Sequence, residues 1–436
     1  RRPARACATM RGVTRGQLWI DALGAGAIAG LVAEALVLRM NPEASQAASG
    51  VLVGMPLWAS WGMLLAGVPL ALALAAAGRL LDLERRWLAP ELAALVFLVA
   101  AVLALVNARL HLHLLRGSSQ RVLMQDAAAW MVALVLALAG GALVRRFGAA
   151  PALRVAFSLV LLALPALRVV GAPTPERRLE EVAARPLGTP SRPLLVIGLE
   201  GLDAKFLLTD SIGSSSPVLA RLREAGGRVR LKPHRPYLRW ALWTSAATGT
   251  YPGRHGVKAH WGWDLPLVFG ETLRLLPWTP EGSRMILPWG LAERVPPPPA
   301  TVAPLWARLA ASGVPTGAFG WPGSWGSDPS LHPEPELERA AGLEPSMGAS
   351  LEGALARFPE RQAEIWAAIL RDQARIDAAR EALAAGTTDV WLHLETLALT
   401  RRYFEPLNSR QTAERQLLEL GSELVDQKRG ELGAAA

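Results

Sequence analysis

Residues 240–257 read WALWTSAATGTYPGRHGV. Three pairs punctuate the stretch: Thr248-Gly249, Tyr251-Pro252 and His255-Gly256, with His255 read as part of a His-Gly turn. Upstream, Pro193 opens a new pattern. LLVIGL, residues 194–199, is a continuous apolar run of strand length, the pattern expected of a central parallel strand buried on both faces. Glu200, Gly201, Leu202 and Asp203 follow at its carboxyl end. Ligand sites in open α/β sheets lie beyond the carboxyl ends of strands, so position 200 is where a catalytic acid is expected.

Outward from this core the pattern alternates. SSSPVLARLREAGGRV, residues 214–229, reads as a helix with Ser caps, Pro217 in its first turn and Gly226 at its end. APLWARLAASGVPTGAFGWPGSWGSDP, residues 303–329, reads as helix, Gly stop, short strand and Trp-Pro turn. TTDVWLHLET, residues 387–396, reads as a further strand after a long helix over 359–385. Strands alternating with helices predict an α/β domain with a mostly parallel sheet.

These blocks, in this order, resemble the type I phosphodiesterase/nucleotide pyrophosphatase family of the alkaline phosphatase superfamily. The resemblance covers roughly residues 193–430 and implies an alkaline-phosphatase-like fold. It gives Asp203, Trp243, Thr248, Gly249 and His255 structural places in the motif. The family resembled uses two metal ions, usually zinc, to activate a Thr or Ser that attacks phosphorus. Two cations stabilise both the attacking and the leaving oxygen of an in-line displacement.

Carried over residue by residue, the chemistry is missing. The first metal acid, normally Asp, falls on Glu200; the extra methylene moves its oxygens by more than about 1 Å, a misplacement of the order that costs roughly 10²-fold. The nucleophile, nine residues before Thr248, falls on Arg239, which cannot attack phosphorus and cannot be deprotonated. Thr244, Ser245 and Thr248 are nearby hydroxyls at structural positions of the motif. The next ligand pair, normally Asp and His, falls on Leu397 and Arg401. Asp389 and His393 share the four-residue spacing but read as a strand-edge acid and an ordinary His. The last ligands, from a Ser-Asp-His-Gly block and a later His, do not occur before Ala436. The domain therefore reads as incomplete at its C-terminus. No intact catalytic residue and no cofactor are expected, with zinc or another divalent metal pair implied if the chain is active. Arg binds phosphate bidentately without a metal, which makes Arg239 and Arg401 candidate anion-binding residues. The plainer reading is that they fill the former cavity and pair with Glu200.

The N-terminal part is of another kind. Hydrophobic residues make up 51% of the 436, mean hydropathy is +0.24, and the excess lies before residue 172. Five spans are predicted: Leu18–Leu38, Val51–Gly78, Trp87–Val106, Val122–Val144 and a weaker fifth, Val155–Val170, interrupted by Pro165 and Arg168. Asp21, Glu34, Glu91 and Asp126 read as interfacial or helix-pairing acids in preference to an ion path. Arg1, Arg2, Arg5, Arg11 and Arg15, then Arg79, Arg85 and Arg86, then Arg145, Arg146 and Arg154 outweigh the alternate loops. This predicts a cytoplasmic N-terminus and, after five crossings, an extracytoplasmic C-terminal domain at a bacterial inner (plasma) membrane. The expected layout is a transmembrane bundle over 1–171, a linker over 172–193 and the α/β domain over 194–436.

The formal charge of +9 is mostly Arg flanking apolar runs, and no nucleic-acid-binding pattern accompanies it. Cys7 is the only cysteine, so no intramolecular disulfide forms. Six Trp residues, at 240, 243, 261, 263, 278 and 289, are read as packing first and as a lipid or glycan surface second. The expected function is a membrane-anchored, non-catalytic member binding a phosphorylated or glycan envelope ligand or a membrane protein partner, besides the lipid bilayer. The alternatives are an active metal-dependent phosphodiesterase or phosphotransferase of the cell envelope, and a multispan transport or scaffold protein.

Overall fold

The computed structural model describes residues 15–42, 48–81, 88–147, 151–170, 193–202, 217–227, 229, 231–259, 261–263, 272–276, 292–294, 300–322 and 359–399. The first part is helical: α1 (Arg15–Met40), α2 (Ala48–Gly62), α3 (Val68–Leu81), α4 (Ala89–Leu110), α5 (Gly117–Arg146) and α6 (Pro151–Val170). A π-helical turn, Met63–Gly67, joins α2 to α3 in one rod. Five stretches are long and apolar enough to cross a membrane: Gly16–Met40, Val53–Ala77, Ala89–Leu110, Gly117–Arg146 and Pro151–Val170. They coincide with the five predicted spans. The fifth is one continuous helix, with Pro165 buried in the bundle.

The Ala-rich sequence explains how the bundle packs. Ala93, Ala100, Ala104, Ala133 and Ala137 are buried, while Leu95, Leu98, Val102, Val132, Val135, Leu159 and Val160 face outward. Small residues let helix backbones approach, and the large ones meet lipid. Span α1 is the most enclosed of the five. Its Gly26 and Gly30 cross α2 where a Cβ on Gly30 would strike the Trp58 carbonyl and one on Gly62 the Gly26 carbonyl.

The acids in the spans hold helices together. Asp126, almost fully buried, pairs with Arg39 (Nε–Oδ2 3.0 Å) and Arg168 (Nη1–Oδ1 3.2 Å). Asp21 accepts from the Leu88 amide (2.8 Å) at the start of α4 and from Gln17 (2.8 Å). Glu91 meets Arg145 at 2.5 Å, and Glu34 is fully buried on α1. These contacts also sort the helix ends. Arg39 donates to the Arg168 carbonyl (3.0 Å), so α1 and α6 finish at the same end of the bundle. The starts of α1 and α4 meet at the other.

The second part comprises β1 (Leu194–Leu199), α7 (Pro217–Ala225), α8 (Arg239–Thr248), α9 (Pro252–His255), β2 (Trp261–Trp263), β3 (Ala292–Arg294), α10 (Leu305–Ala311), β4 (Thr316–Phe319), α11 (Pro359–Ala384) and β5 (Asp389–Leu394). A three-stranded parallel sheet has the order β1-β5-β4, with Leu194 opposite Asp389 and Thr316 opposite the same residue. Among the described strands β5 is the middle one, buried along its whole length, and β1, the LLVIGL run, pairs beside it. An unbroken apolar run does not distinguish a middle strand from a flanking one covered by helices. β2 and β3 pair antiparallel. The linker predicted over 172–193 lies, but for Pro193, outside the described residues.

The two faces of β5 are covered differently. Val390, Leu392 and Leu394 pack with Ile376, Ala379 and Leu383 of α11. On the other face Trp391 joins Trp306 and Trp321, each 5.5 Å away between ring centroids. Of the six Trp residues singled out in the sequence, Trp243 belongs to this aromatic core. Trp240 is half-buried, Trp261 and Trp263 lie on β2, and Trp278 and Trp289 are outside the described residues.

The two parts are docked. Asn41, just past α1, accepts from the amides of Arg274 and Leu275 (both 2.8 Å) and donates to the Leu275 carbonyl (2.6 Å). Lys258 Nζ donates to the Met40 carbonyl (3.1 Å). The Gly253 amide donates to the His113 carbonyl (3.0 Å), and a Cβ there would collide with the Leu115 carbonyl. One apolar cluster runs from the bundle into Leu238, Ala241, Leu273, Leu275 and Leu276.

Candidate functional site

The carboxyl ends of β1 and β5 lie side by side, and an acid follows each: Glu200 after Leu199 and Glu395 after Leu394. Arg239 is the first residue of α8, directly beyond the extended Leu238. Its side chain enters between the two acids. Nη2 donates to Glu395 Oε2 at 2.5 Å. Nε lies 2.5 Å from Glu200 Oε2 but off the N–H axis, as a charge contact and not an aligned hydrogen bond. His393 Nε2 is 3.4 Å from the same Glu200 oxygen, and its ring meets Trp243 edge-on at 4.6 Å.

Helix α11 supplies the other side. Arg371 Nε approaches Glu395 Oε1 at 3.2 Å and Arg375 Nη1 at 3.5 Å. Asp372, between them, binds Arg375 (3.0 Å) and receives the amides of Glu395 (2.9 Å) and Thr396 (2.8 Å) and the Thr396 hydroxyl (2.7 Å). Burial pushes the Asp372 carboxyl up, against Arg375 and the bonds from Thr396. Burial would raise Glu395 too, but Arg239, Arg375 and Arg371 outweigh it and hold its carboxyl at about 2. Glu200, Glu395 and Asp372 thus face Arg239, Arg371 and Arg375 in a charge-balanced network.

Sequence reading located Glu200 and Arg239 at this edge and missed Glu395, Asp372, Arg371 and Arg375. Two signals were present. Glu395 occupies the same place after β5 that Glu200 occupies after β1, and Arg371 and Arg375 stand four apart, on one helix face. Leu397 is buried and apolar. Arg401 and Asp203 lie outside the described residues. Asp389 accepts from the Leu194 amide (2.9 Å) at the opposite end of the sheet from His393.

The motif hydroxyls hold the backbone. Thr244, buried, donates to the Pro322 carbonyl (3.2 Å), and Thr248 donates to the Thr244 carbonyl (2.8 Å). Gly249 ends α8 at φ +66° and Gly256 ends α9 at φ +81°, left-handed positions that favour glycine. His255 Nδ1 accepts from the Val257 amide (3.2 Å), so Nε2 carries the proton and donates to Ser245 Oγ (3.0 Å). Burial lowers this imidazole to about 3. It is a neutral turn-former and cannot take the proton of Ser245. Ser245 also lies 3.3 Å from His234 Nε2. It is six residues along α8 from Arg239, about 9 Å up the helix axis and on a different face.

A two-metal centre needs several anionic or imidazole donors converging on open positions. Among the described residues the donors here are Glu200, Glu395 and His393, and a permanent guanidinium occupies the space between the two acids. No described group of three or more His, Cys, Asp or Glu converges on one point. These residues do not fit a pair of divalent cations.

A parallel sheet with a polar site at the carboxyl ends of its strands, flanked by a Trp-rich core and a Thr-Gly/His-Gly turn, is an alkaline-phosphatase-like α/β domain. Residues 194–396 match the family model described as type I phosphodiesterase / nucleotide pyrophosphatase, and the chain carries a domain of that family behind its five apolar helices. No curated protein and no solved structure matches the chain.

Proposed function

We propose that this is a membrane-anchored, non-catalytic member of the family, whose internal Arg stands in for the metal ions. The observation that carries this reading is the Arg239 guanidinium between Glu200 and Glu395. A fixed cation offsets the carboxylates that divalent ions would otherwise neutralise, and it supplies neither a nucleophile nor a Lewis acid. The domain retains its sheet, its turns and its docking to the bundle. Its role is then to bind, with a phosphorylated or glycan envelope ligand or a membrane protein as partner. Arg-rich loops at the end of the bundle away from the domain favour an extracytoplasmic position for the domain at a bacterial inner membrane.

The test uses the full chain in detergent. Bound zinc is measured by atomic emission, and hydrolysis of bis(p-nitrophenyl) phosphate is followed with and without added zinc. The expected result is substoichiometric metal and no turnover above buffer. One or two zinc ions per chain with saturable turnover overturns the proposal in favour of an active phosphodiesterase or phosphotransferase.

A further inference from the structure

A cavity of about 500 Å³ opens where the α4–α5 turn meets the docked domain. The turn contributes Leu112, His113, Arg116 and Gln120, and the domain contributes Tyr251 and Arg254. Among the described residues no carboxylate lines it. Arg116 and Arg254 have no ion-pair partner among the described residues, although they flank the same space from two halves of the chain. Two unopposed guanidiniums converging on one cavity repel each other, an arrangement that an anion relieves.

The rest of the lining fits the same ligand chemistry. Gln120 offers amide donors. His113 stacks on the Tyr251 ring, 4.4 Å between centroids, which joins the two segments on that side. Gly253 is fixed by its bond to the His113 carbonyl, which ties the distance between the Arg-bearing segments to the docking interface. Leu110 ends the third span and Arg116 follows six residues later. That depth corresponds to the headgroup layer, which extends about 6 Å beyond the hydrocarbon core on each side. Leu112, on the cavity wall, is partly exposed and offers an apolar contact beside the cations.

We propose that this cavity binds one phosphoryl group, held between Arg116 and Arg254 at the membrane surface. Lipid headgroups and soluble phosphate share that chemistry. The inference deepens the ligand half of the proposed function and is independent of whether the Arg239 site hydrolyses anything.

The experiment measures binding to the full-length protein in dodecyl maltoside by native mass spectrometry. The probes are dioctanoyl phosphatidate, dioctanoylglycerol as its uncharged counterpart, and inorganic phosphate. One phosphatidate per chain, with dioctanoylglycerol at least tenfold weaker, is expected. Arg116→Gln/Arg254→Gln lowers phosphatidate affinity at least tenfold, and Arg145→Gln, at the opposite end of the bundle, leaves it unchanged. Phosphatidate binding tighter than inorganic phosphate assigns the site to lipid, and equal binding assigns it to a soluble phosphate. If the double variant aggregates, Arg254→Gln alone, at an exposed side chain, repeats the test. Binding of neither phosphate-bearing probe, or binding indifferent to the Arg substitutions, overturns the proposal whatever the outcome of the zinc and turnover measurements.

Discussion

Arg239 donates from Nη2 to Glu395 Oε2 at 2.5 Å, across 156 positions of sequence. The same side chain touches Glu200 through Nε, so one guanidinium joins the ends of two neighbouring strands to the start of a helix. Replacing Arg239 with Thr restores the family's hydroxyl but leaves Glu200 without that cation. The expected outcome is no hydrolysis of bis(p-nitrophenyl) phosphate with added zinc. Stability should fall by about 1–2 kcal/mol, since the group is partly solvated and Glu395 retains two other Arg partners. Thermal unfolding in detergent checks the second part, and zinc-dependent turnover in the variant would contradict the first.

Acid sensitivity follows from two buried imidazoles. Burial lowers His255 to about 3 and, at the domain–bundle junction, His111 to about 4, with Lys258 adding to the latter. Both are neutral in the fold but take up a proton on unfolding below about 6.5. The unfolded state binds more protons, so stability is full above that value and is lost as the pH falls. The slope is about 1.4 kcal/mol per pH unit for each ring until its folded value is reached. Glu395 adds a further loss only between its ordinary value of 4.5 and about 2. Melting temperature should therefore drop between pH 6.5 and 4.5, before the loss from Glu395 begins. His255→Gln should flatten that drop; an unchanged slope would count against the assignment.

Asp126 is the shared partner of Arg39 and Arg168 inside the bundle. Asp126→Leu removes the acid from a buried Arg39. Breaking one side of a buried pair costs about 3–5 kcal/mol, so the variant should be extracted poorly and melt well below the parent, while Asp126→Asn loses less. Equal melting of the Leu variant and the parent would show that the pair carries no such weight.

Gly253 sits where the domain backbone meets the α4–α5 turn, with no room for a Cβ beside the Leu115 carbonyl. Gly253→Val should separate the domain from the bundle without unfolding either. Limited proteolysis would then cut the 231–259 region faster, while the far-ultraviolet circular dichroism stays within error. Unaltered cleavage would mean that the interface tolerates the shift.

Much of this was readable from residues alone, and the limits have physical causes. The five spans, β1, β5 and the helix before β5 announce themselves through local runs of one period. The motif gave Glu200 and Arg239 their places. It did not reveal that both are linked to Glu395, because that contact depends on strand order, which a local pattern does not encode. The apolar run of LLVIGL gave no sign that β5, which carries a His, lies in the middle of the described strands. The glycine crossing of α1 and α2 and the Asn41 clasp depend on how separate segments meet, and composition is silent on that.

Asn41 meets the domain backbone through three hydrogen bonds, and Lys258 and Gly253 add two more from different helix ends. The covalent tether is therefore not what orients the domain. A chain nicked between residues 172 and 192 should leave two fragments that travel together through purification. The head of this molecule is seated on its stalk, and any tilt of the first span in the bilayer turns the head with it.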